Sequence, residues 1–209
     1  MKTRSKIIRA AAELFEKKGY AATTLSNITD AAAVTKGSLY HHFSSKEQVA
    51  RELLRAQIPM SRIQPQASKW QETIDTSFIY AHLLQVNPVA RAGVRLSLDG
   101  GVPPDLDAYG PTRDWIDLAT HLMTQCQEAG HLLDCWTPEA AAELIQSTFV
   151  GAQLTSLQIT GPERADLPQR LERMWRGLLP GMAALGVLLS LDFRADRWDR
   201  IPWEVPVTE

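Results

Sequence analysis

The residues best suited to chemistry in this chain lie in one short stretch, VTKGSLYHHF at positions 34–43, and the chemistry they suit is the binding of a polyanion. Lys36 carries a charge that can meet a phosphate or donate to guanine O6 or N7, while Thr35 and Ser38 can reach a base edge or a thymine methyl in the major groove. Gly37 has no Cβ, so a helix start here can come close to a phosphate. Tyr40 and His41 add donors that suit a phosphate and a base edge equally. Thr35 is also a favoured N-cap residue. Leu39 and Phe43, four residues apart, mark the face turned away from the nucleic acid. Either histidine of the pair could instead be a core or capping residue, and His42, beside Phe43, suits that role better than His41. Thr24 and Lys46 stand at two further helix starts, where outward-pointing N–H groups favour backbone phosphates.

Such a segment needs a scaffold, and the flanking residues supply one. Ile7, Ala11, Leu14 and Phe15 form an apolar stripe from about Thr3 to Lys18, closed by Gly19. Leu25, Ile28 and Ala32 mark a second, short helix with Asn27 and Thr29 on its outer face. With the helix that starts near Thr35 it forms a helix-turn-helix corner. Ser44-Ser45-Lys46-Glu47 reads as a capping box for a fourth helix running to about Ile58, before Pro59. Residues 1–56 hold ten Lys and Arg against five Asp and Glu, whereas the rest of the chain holds twelve against nineteen. Only this head is built to meet a polyanion. The remainder, 57–209, is long enough to enclose a core of its own.

The order LFEKKGY, then TTLSNITDAAAVTKGSLYHHFSSKEQVA, resembles the N-terminal domain of the TetR family of one-component repressors. The stretches ARAGVRLSLDGG, YGPTRDWIDLATHL, STFVGAQLTS and ADLPQRLERMWRGLLPGM are similar to the γ-butyrolactone autoregulator receptors of Streptomyces and relatives. These resemblances imply an all-α homodimer with an N-terminal three-helix helix-turn-helix DNA-binding domain (1–56) and a helical ligand-binding and dimerisation domain (57–209). They imply a repressor of secondary metabolism on a palindromic double-stranded DNA operator. A small hydrophobic signalling ligand, a γ-butyrolactone or butenolide, would release it. A pseudo-receptor or another TetR-type regulator answering to an antibiotic or other hydrophobic compound carries the same segments.

Beyond Pro59 the patterning predicts long helices. Trp70 to Val86 has Ile74, Phe78 and Ala81 on one side, and Val89 to Leu98 follows. A breaker-rich loop, 99–104, precedes a helix from Pro111 to about Ala129 with Gly130 as its stop. Another runs from Pro138 to about Thr160, and the last from Pro168 to about Leu191 with a kink at Pro180. Trp198, Ile201 and Trp203 are expected to fold back onto the body.

Trp115, Ala119, Leu122 and Met123 share one helix side, an indole above an apolar wall. Thr148 and Thr155 lie on a stripe with Leu144 and Gly151, where their hydroxyls either face a ligand or bond their own helix. The receptors this chain resembles carry a pocket tryptophan matching Trp115, which implies the ligand role for that residue. Val94 and Leu98 extend the wall because Arg91 and Arg95 face away. Gln57, at the junction with the head, is either a pocket residue or an exposed polar one. Leu171, Met174, Trp175, Leu178 and Met182 form an apolar stripe. It suits the dimer contact the TetR resemblance implies, or else inward packing of Trp175.

No H-E-x-x-H, P-loop, G-x-S-x-G or G-x-G-x-x-G occurs, and the five histidines are scattered. No catalytic residue, metal site or cofactor is therefore expected, which sets aside the contrasting reading of a small helical enzyme. A helical adaptor is disfavoured by the basic head. No apolar run approaches a membrane span and no basic-then-apolar leader opens the chain, so cytoplasmic residence is expected. Cys126 and Cys135 are expected as buried thiols of a reducing compartment.

Overall fold

The computed structural model describes residues 3–56, 64–201 and 203. Its elements are helices: α1 Thr3–Lys18, α2 Leu25–Ala32, α3 Lys36–His42, α4 Lys46–Arg55, α5 Lys69–Val86, α6 Pro88–Leu98, α7 Gly110–Glu128, α8 Pro138–Thr160, α9 Leu167–Leu178 and α10 Leu185–Leu188, with short 3-10 turns between some of them. Among the described residues no helix is long and apolar enough to cross a membrane. The chain divides into two compact units, the first made of the head and residues 87–112, the second of residues 64–86 and those from 113 onward. This partition differs from the sequence division at residue 56, because α6 joins the unit that holds α1 to α4.

In the first unit each helix contributes fully buried side chains to one core, among them Ile7, Ala11 and Phe15 of α1, Ile28 of α2, Leu39 of α3, Val49 and Leu53 of α4, and Ala92 and Leu96 of α6. Burying a side chain such as Phe15 or Leu96 stabilises the unit by about 1.5–3 kcal/mol. The caps explain where the short helices start. Thr24 accepts the Asn27 N–H while Asn27 accepts the Thr24 N–H, a reciprocal box. Thr35 caps α3 through the Ser38 N–H, and Ser45 caps α4 through the Gln48 N–H. The box expected of Ser44 with Glu47 does not form: the cap is Ser45, and Gln48 Oε1 accepts the N–H of Ser44, the residue before the cap, at 2.6 Å. Glu47 is diverted because its carboxylate accepts the Tyr20 hydroxyl at 2.8 Å. Thr29, expected on the outer face of α2, is buried and donates to the Ser26 carbonyl. The expected extension of α4 to Ile58 lies outside the described residues.

Polar locks hold α6 in this unit. Arg91 Nε donates to Glu16 Oε1 at 2.8 Å, and the Tyr20 N–H donates to Asp99 Oδ2 at 2.9 Å. The second lock requires the glycine before Tyr20. Gly19 has φ +76°, and a Cβ there would lie 2.8 Å from Asp99 Oδ2. Left-handed φ and close approach of the carboxylate both disfavour a side chain.

In the second unit α5 is buried on all sides, not on the single face that the spacing of Ile74, Phe78 and Ala81 suggests. Trp70, Thr73, Ile79, Tyr80 and Leu83 are buried as well, as expected of a central helix. α9 packs on α5, where the Trp175 indole donates to Ser77 Oγ at 2.9 Å, and α8 packs on α9. The last helix does not run to Leu191. It ends at Leu178, passes through a 3-10 turn at Leu179–Gly181, and resumes only as α10. Pro180 removes a donor from the helix ladder. The segment beyond then pairs with the loop after α7, as the Leu133 N–H donates to Met182 O, the Ala184 N–H to His131 O and the Trp136 indole to Gly181 O. Cys126 is buried, which pushes its thiol up to about 12, but Cys135 is exposed, contrary to expectation, in that same loop.

The tail does return to the body. Asp75, wholly buried on α5, receives both arms of the Arg197 guanidinium at 2.8 Å and the amides of Gln66 and Gln71. Gln71 also grips the Asp192 backbone through its N–H and C=O. Beyond it, Trp198 stacks on His82 at 3.9 Å and Trp203 meets the same ring edge-on. Burial lowers the His82 pKa and so favours the neutral ring.

Two stability measurements follow. Asp99→Ala strands the Tyr20 amide and lowers stability to chemical unfolding by about 1–3 kcal/mol. Hydrogen bonds from the Tyr20 and Gly101 amides hold the Asp99 pKa below the ordinary aspartate range. Its contribution is therefore complete above that range and fades as pH falls through the lowered value, so the difference between wild type and variant narrows in acid. Arg197→Met leaves the Asp75 charge buried. The loss is about 3 kcal/mol, the lower end for an uncompensated buried charge because Gln66 and Gln71 still bond it, and thermal unfolding reads it directly.

Candidate nucleic-acid interface and ligand-binding face

The residues from Thr35 to His41 form the surface that their types suggest. Thr35, Lys36, Gly37, Tyr40 and His41 are exposed and Ser38 is half-buried, whereas Leu39 and Phe43 are sealed in the core. Tyr40 keeps 58% of its surface exposed, unusual for a ring of that size and favourable for contact with a partner. His42 is half-buried, its ring edge-on to that of His41 with centroids 5.0 Å apart. α3 carries no carboxylate. Four acids on the neighbouring helices are engaged elsewhere: Glu52 by Arg4 at 2.7 Å, Glu13 by Arg9, Glu16 by Arg91 and Glu47 by Tyr20. The positive potential of Lys36 is thus not cancelled on its own helix.

The two outlying phosphate candidates are more constrained. Thr24 is exposed, but its oxygen already accepts the Asn27 N–H, so what it can offer a phosphate is the hydroxyl proton. Lys46 is not a free arm: its ammonium donates to the Tyr20 carbonyl at 2.9 Å and lies 3.9 Å from the centre of the Tyr20 ring. It is a fixed charge with N–H capacity to spare. Burial, then the bond to Glu47, raises the Tyr20 pKa, so the phenol stays neutral beneath that charge.

In the second unit Tyr80 joins Trp115 and Phe149 in an aromatic cluster. The Tyr80 ring of α5 lies 5.0 Å from the Trp115 ring of α7 and 5.9 Å from the Phe149 ring of α8, separations typical of favourable tilted pairs. Ala119, Leu122 and Met123 are buried along α7, and Trp115 itself is half-buried. Tyr80 is fully enclosed, and burial drives its pKa far up, so it is a neutral phenol at any ordinary pH. Sequence reasoning missed Tyr80 and Phe149. An apolar run such as FIYAHLL gives no sign of which ring meets an indole on another helix, and Phe149 was overlooked beside Thr148.

Several expected site residues need correction. The Thr148 hydroxyl bonds the Leu144 and Ile145 carbonyls, and the Thr155 hydroxyl bonds the Gly151 carbonyl. Their protons are spent on α8, so neither residue offers a donor to a ligand, because a carbonyl one turn back is always within reach. Val94 is buried and Leu98 half exposed, both on α6 of the first unit. Gln57 lies outside the described residues. Leu171 and Trp175, expected at a dimer contact, are wholly buried within the protomer, where the indole reaches Ser77. Only Met174 and Leu178 of that set keep partial exposure. Among the described residues no group of three or more His, Cys, Asp or Glu side chains converges to hold a metal.

Comparison with known proteins follows the same outline. Residues 7–53 match the family described as bacterial regulatory proteins, tetR family, and residues 67–184 match the tetracyclin repressor-like C-terminal domain. The A-factor receptor protein of Streptomyces griseus is 36% identical over 185 residues, 88% of this chain; the match spans 65% of that relative's length. Among solved structures, full-length TylP, a TetR regulator from Streptomyces fradiae, is 38% identical with a TM-score of 0.85, covering 95% of each chain. A gamma-butyrolactone receptor described as ArpA-like is 29% identical with a TM-score of 0.71, covering 95% of this chain and 96% of its own.

The salt dependence of DNA binding separates the two roles open to Lys36. If it meets a phosphate, Lys36→Ala weakens binding evenly across sequences and lowers the slope of log affinity against log salt by about 0.9 per contact. If it reads guanine, the variant loses about 1–3 kcal/mol on the preferred site and discriminates less. Fluorescence anisotropy with a preferred and a scrambled duplex over a salt series measures both.

Proposed function

Because the chain belongs to the TetR family of bacterial regulatory proteins, we propose that it is a transcriptional repressor that binds a palindromic operator as a homodimer and lets go when a small hydrophobic molecule, a γ-butyrolactone or butenolide, binds its second unit. What carries the reading is the coexistence of two faces in one chain: the acid-free, exposed surface of α3, and the rings of Tyr80, Trp115 and Phe149 around an apolar wall. The first is what a duplex needs. The second is what a mostly apolar ligand needs, since burial supplies affinity and aromatic faces supply shape. The similarity to the A-factor receptor protein and to a gamma-butyrolactone receptor supports the ligand class.

Two copies of α3, one from each protomer, would enter successive major grooves, so the operator carries two half-sites in inverted order. A ligand that binds better to the form whose recognition helices no longer match that spacing shifts the population away from DNA. Coupling of about 1–3 kcal/mol weakens operator binding about 5- to 150-fold. The chain itself provides a route. α5, which carries Tyr80, is joined to α6 through Asn87 alone, and α6 belongs to the core of the DNA-binding unit.

Trp115→Ala should bind operator DNA as wild type does and fail to release it when a γ-butyrolactone is added. A gel-shift titration checks this. Release of the variant at the wild-type dose would remove Trp115 from the ligand site, and a wild type indifferent to lactones would remove the ligand class.

A further inference from the structure

Inside the second unit a buried amide oxygen, that of Gln153, has no hydrogen-bond donor among the described residues. Gln153 lies on the inner stripe of α8, one turn beyond Phe149, and is 5% exposed. Its Oε1 is fully enclosed and meets no hydrogen-bond donor among the described residues. Neighbours on the same helix show how polar groups are normally settled here: Ser156, equally buried, donates to Asp166 Oδ1, and Thr148 and Thr155 turn back on the helix backbone. An enclosed amide carbonyl without a donor costs about 1–3 kcal/mol, and a leucine of similar size would avoid that cost. Phe149 meets Tyr80, which meets Trp115, so the unmatched acceptor lies one helical turn from the aromatic cluster proposed to bind the ligand.

We propose that Gln153 is the specificity-determining residue of the ligand site, its side-chain carbonyl accepting a hydrogen bond from an O–H or N–H donor on an otherwise apolar effector. This rests on the ligand reading given above and narrows it: the effector is not a plain alkyl lactone but one with a donor placed to reach α8. Hydroxyls at 148 and 155 do not supply the discrimination, because their protons are used within the helix. A site built around a buried acceptor rejects the analogue that lacks the donor more strongly than an apolar pocket rejects an extra methylene, because the mismatch leaves the acceptor unpaired.

The test uses the full-length protein and two γ-butyrolactones with the same alkyl side chain, one bearing a side-chain hydroxyl and the other hydrogen in its place. Calorimetry measures binding, and anisotropy of labelled operator DNA measures release. Wild type should prefer the hydroxylated lactone by about 5- to 150-fold, the range that one unmatched buried acceptor sets. Gln153→Leu should lose that preference, bind the hydrogen analogue at least as well as wild type does, keep operator affinity, and melt at a higher temperature without ligand. Equal binding of the two lactones by wild type, or a preference that survives in Gln153→Leu, overturns the assignment while leaving the ligand class standing. A lower melting temperature for the unliganded variant also overturns it, because the acceptor is then already satisfied. Should neither lactone bind wild type, the ligand class fails and the assignment falls with it. Gln153→Met, a second apolar replacement of similar length, guards against a packing defect peculiar to leucine and must give the same loss of preference.

Discussion

The short bond between the Tyr20 amide and the Asp99 carboxylate sets much of what the first unit can be. It favours a glycine at 19, because the carboxylate lies 2.8 Å from where a Cβ would stand and φ there is left-handed. With the Glu16–Arg91 pair, it ties both ends of α6 to the end of α1 and completes a core that α1 to α4 do not finish alone. The chain therefore contributes to the first unit twice, first with residues at its start and again with 87–112.

The charges of the head are arranged by the same economy of contacts. Four of its five acidic residues lie on α1 and α4, where they pair with Arg4, Arg9 and Arg91 or accept from Tyr20, so they brace helices, while the fifth, Asp30, stands exposed on α2. Lys46 illustrates the other side of this arrangement. A lysine at a helix start looks like a free phosphate contact, yet the Tyr20 carbonyl and ring immobilise it. An ammonium held in place loses less side-chain freedom when a phosphate arrives than a solvated one does, which suits positioning better than reach.

In the second unit the dominant fact is that α5 has no solvent face of its own. Its polar residues must find partners in the interior: Asp75 takes Arg197, Gln71 takes the Asp192 backbone, and Ser77 takes the Trp175 indole. These demands draw the tail and α9 inward, and they consume Leu171 and Trp175, which a one-dimensional reading of the α9 stripe offers to a second protomer. The stripe is real. What it lacks in sequence is any mark of which neighbour it serves.

The sequence by itself determined most helices and the exposed face of α3: helix starts at Thr24 and Thr35, the stop at Gly19, the alternation of Leu39 and Phe43 with Lys36 and Tyr40, and the excess of Lys and Arg in the first 56 residues are local signals read within a few turns of chain. Tertiary structure alone decided that α6 belongs to the head, that the last helix breaks at Pro180 to pair with the loop after α7, that Tyr80 meets both Trp115 and Phe149, and that Gln153 Oε1 is left without a donor among the described residues. The physical reason is range. Caps and periodicity are settled among residues a few positions apart, whereas a buried carboxylate, ring or amide is satisfied by groups tens of residues away that no spacing in the sequence can point to.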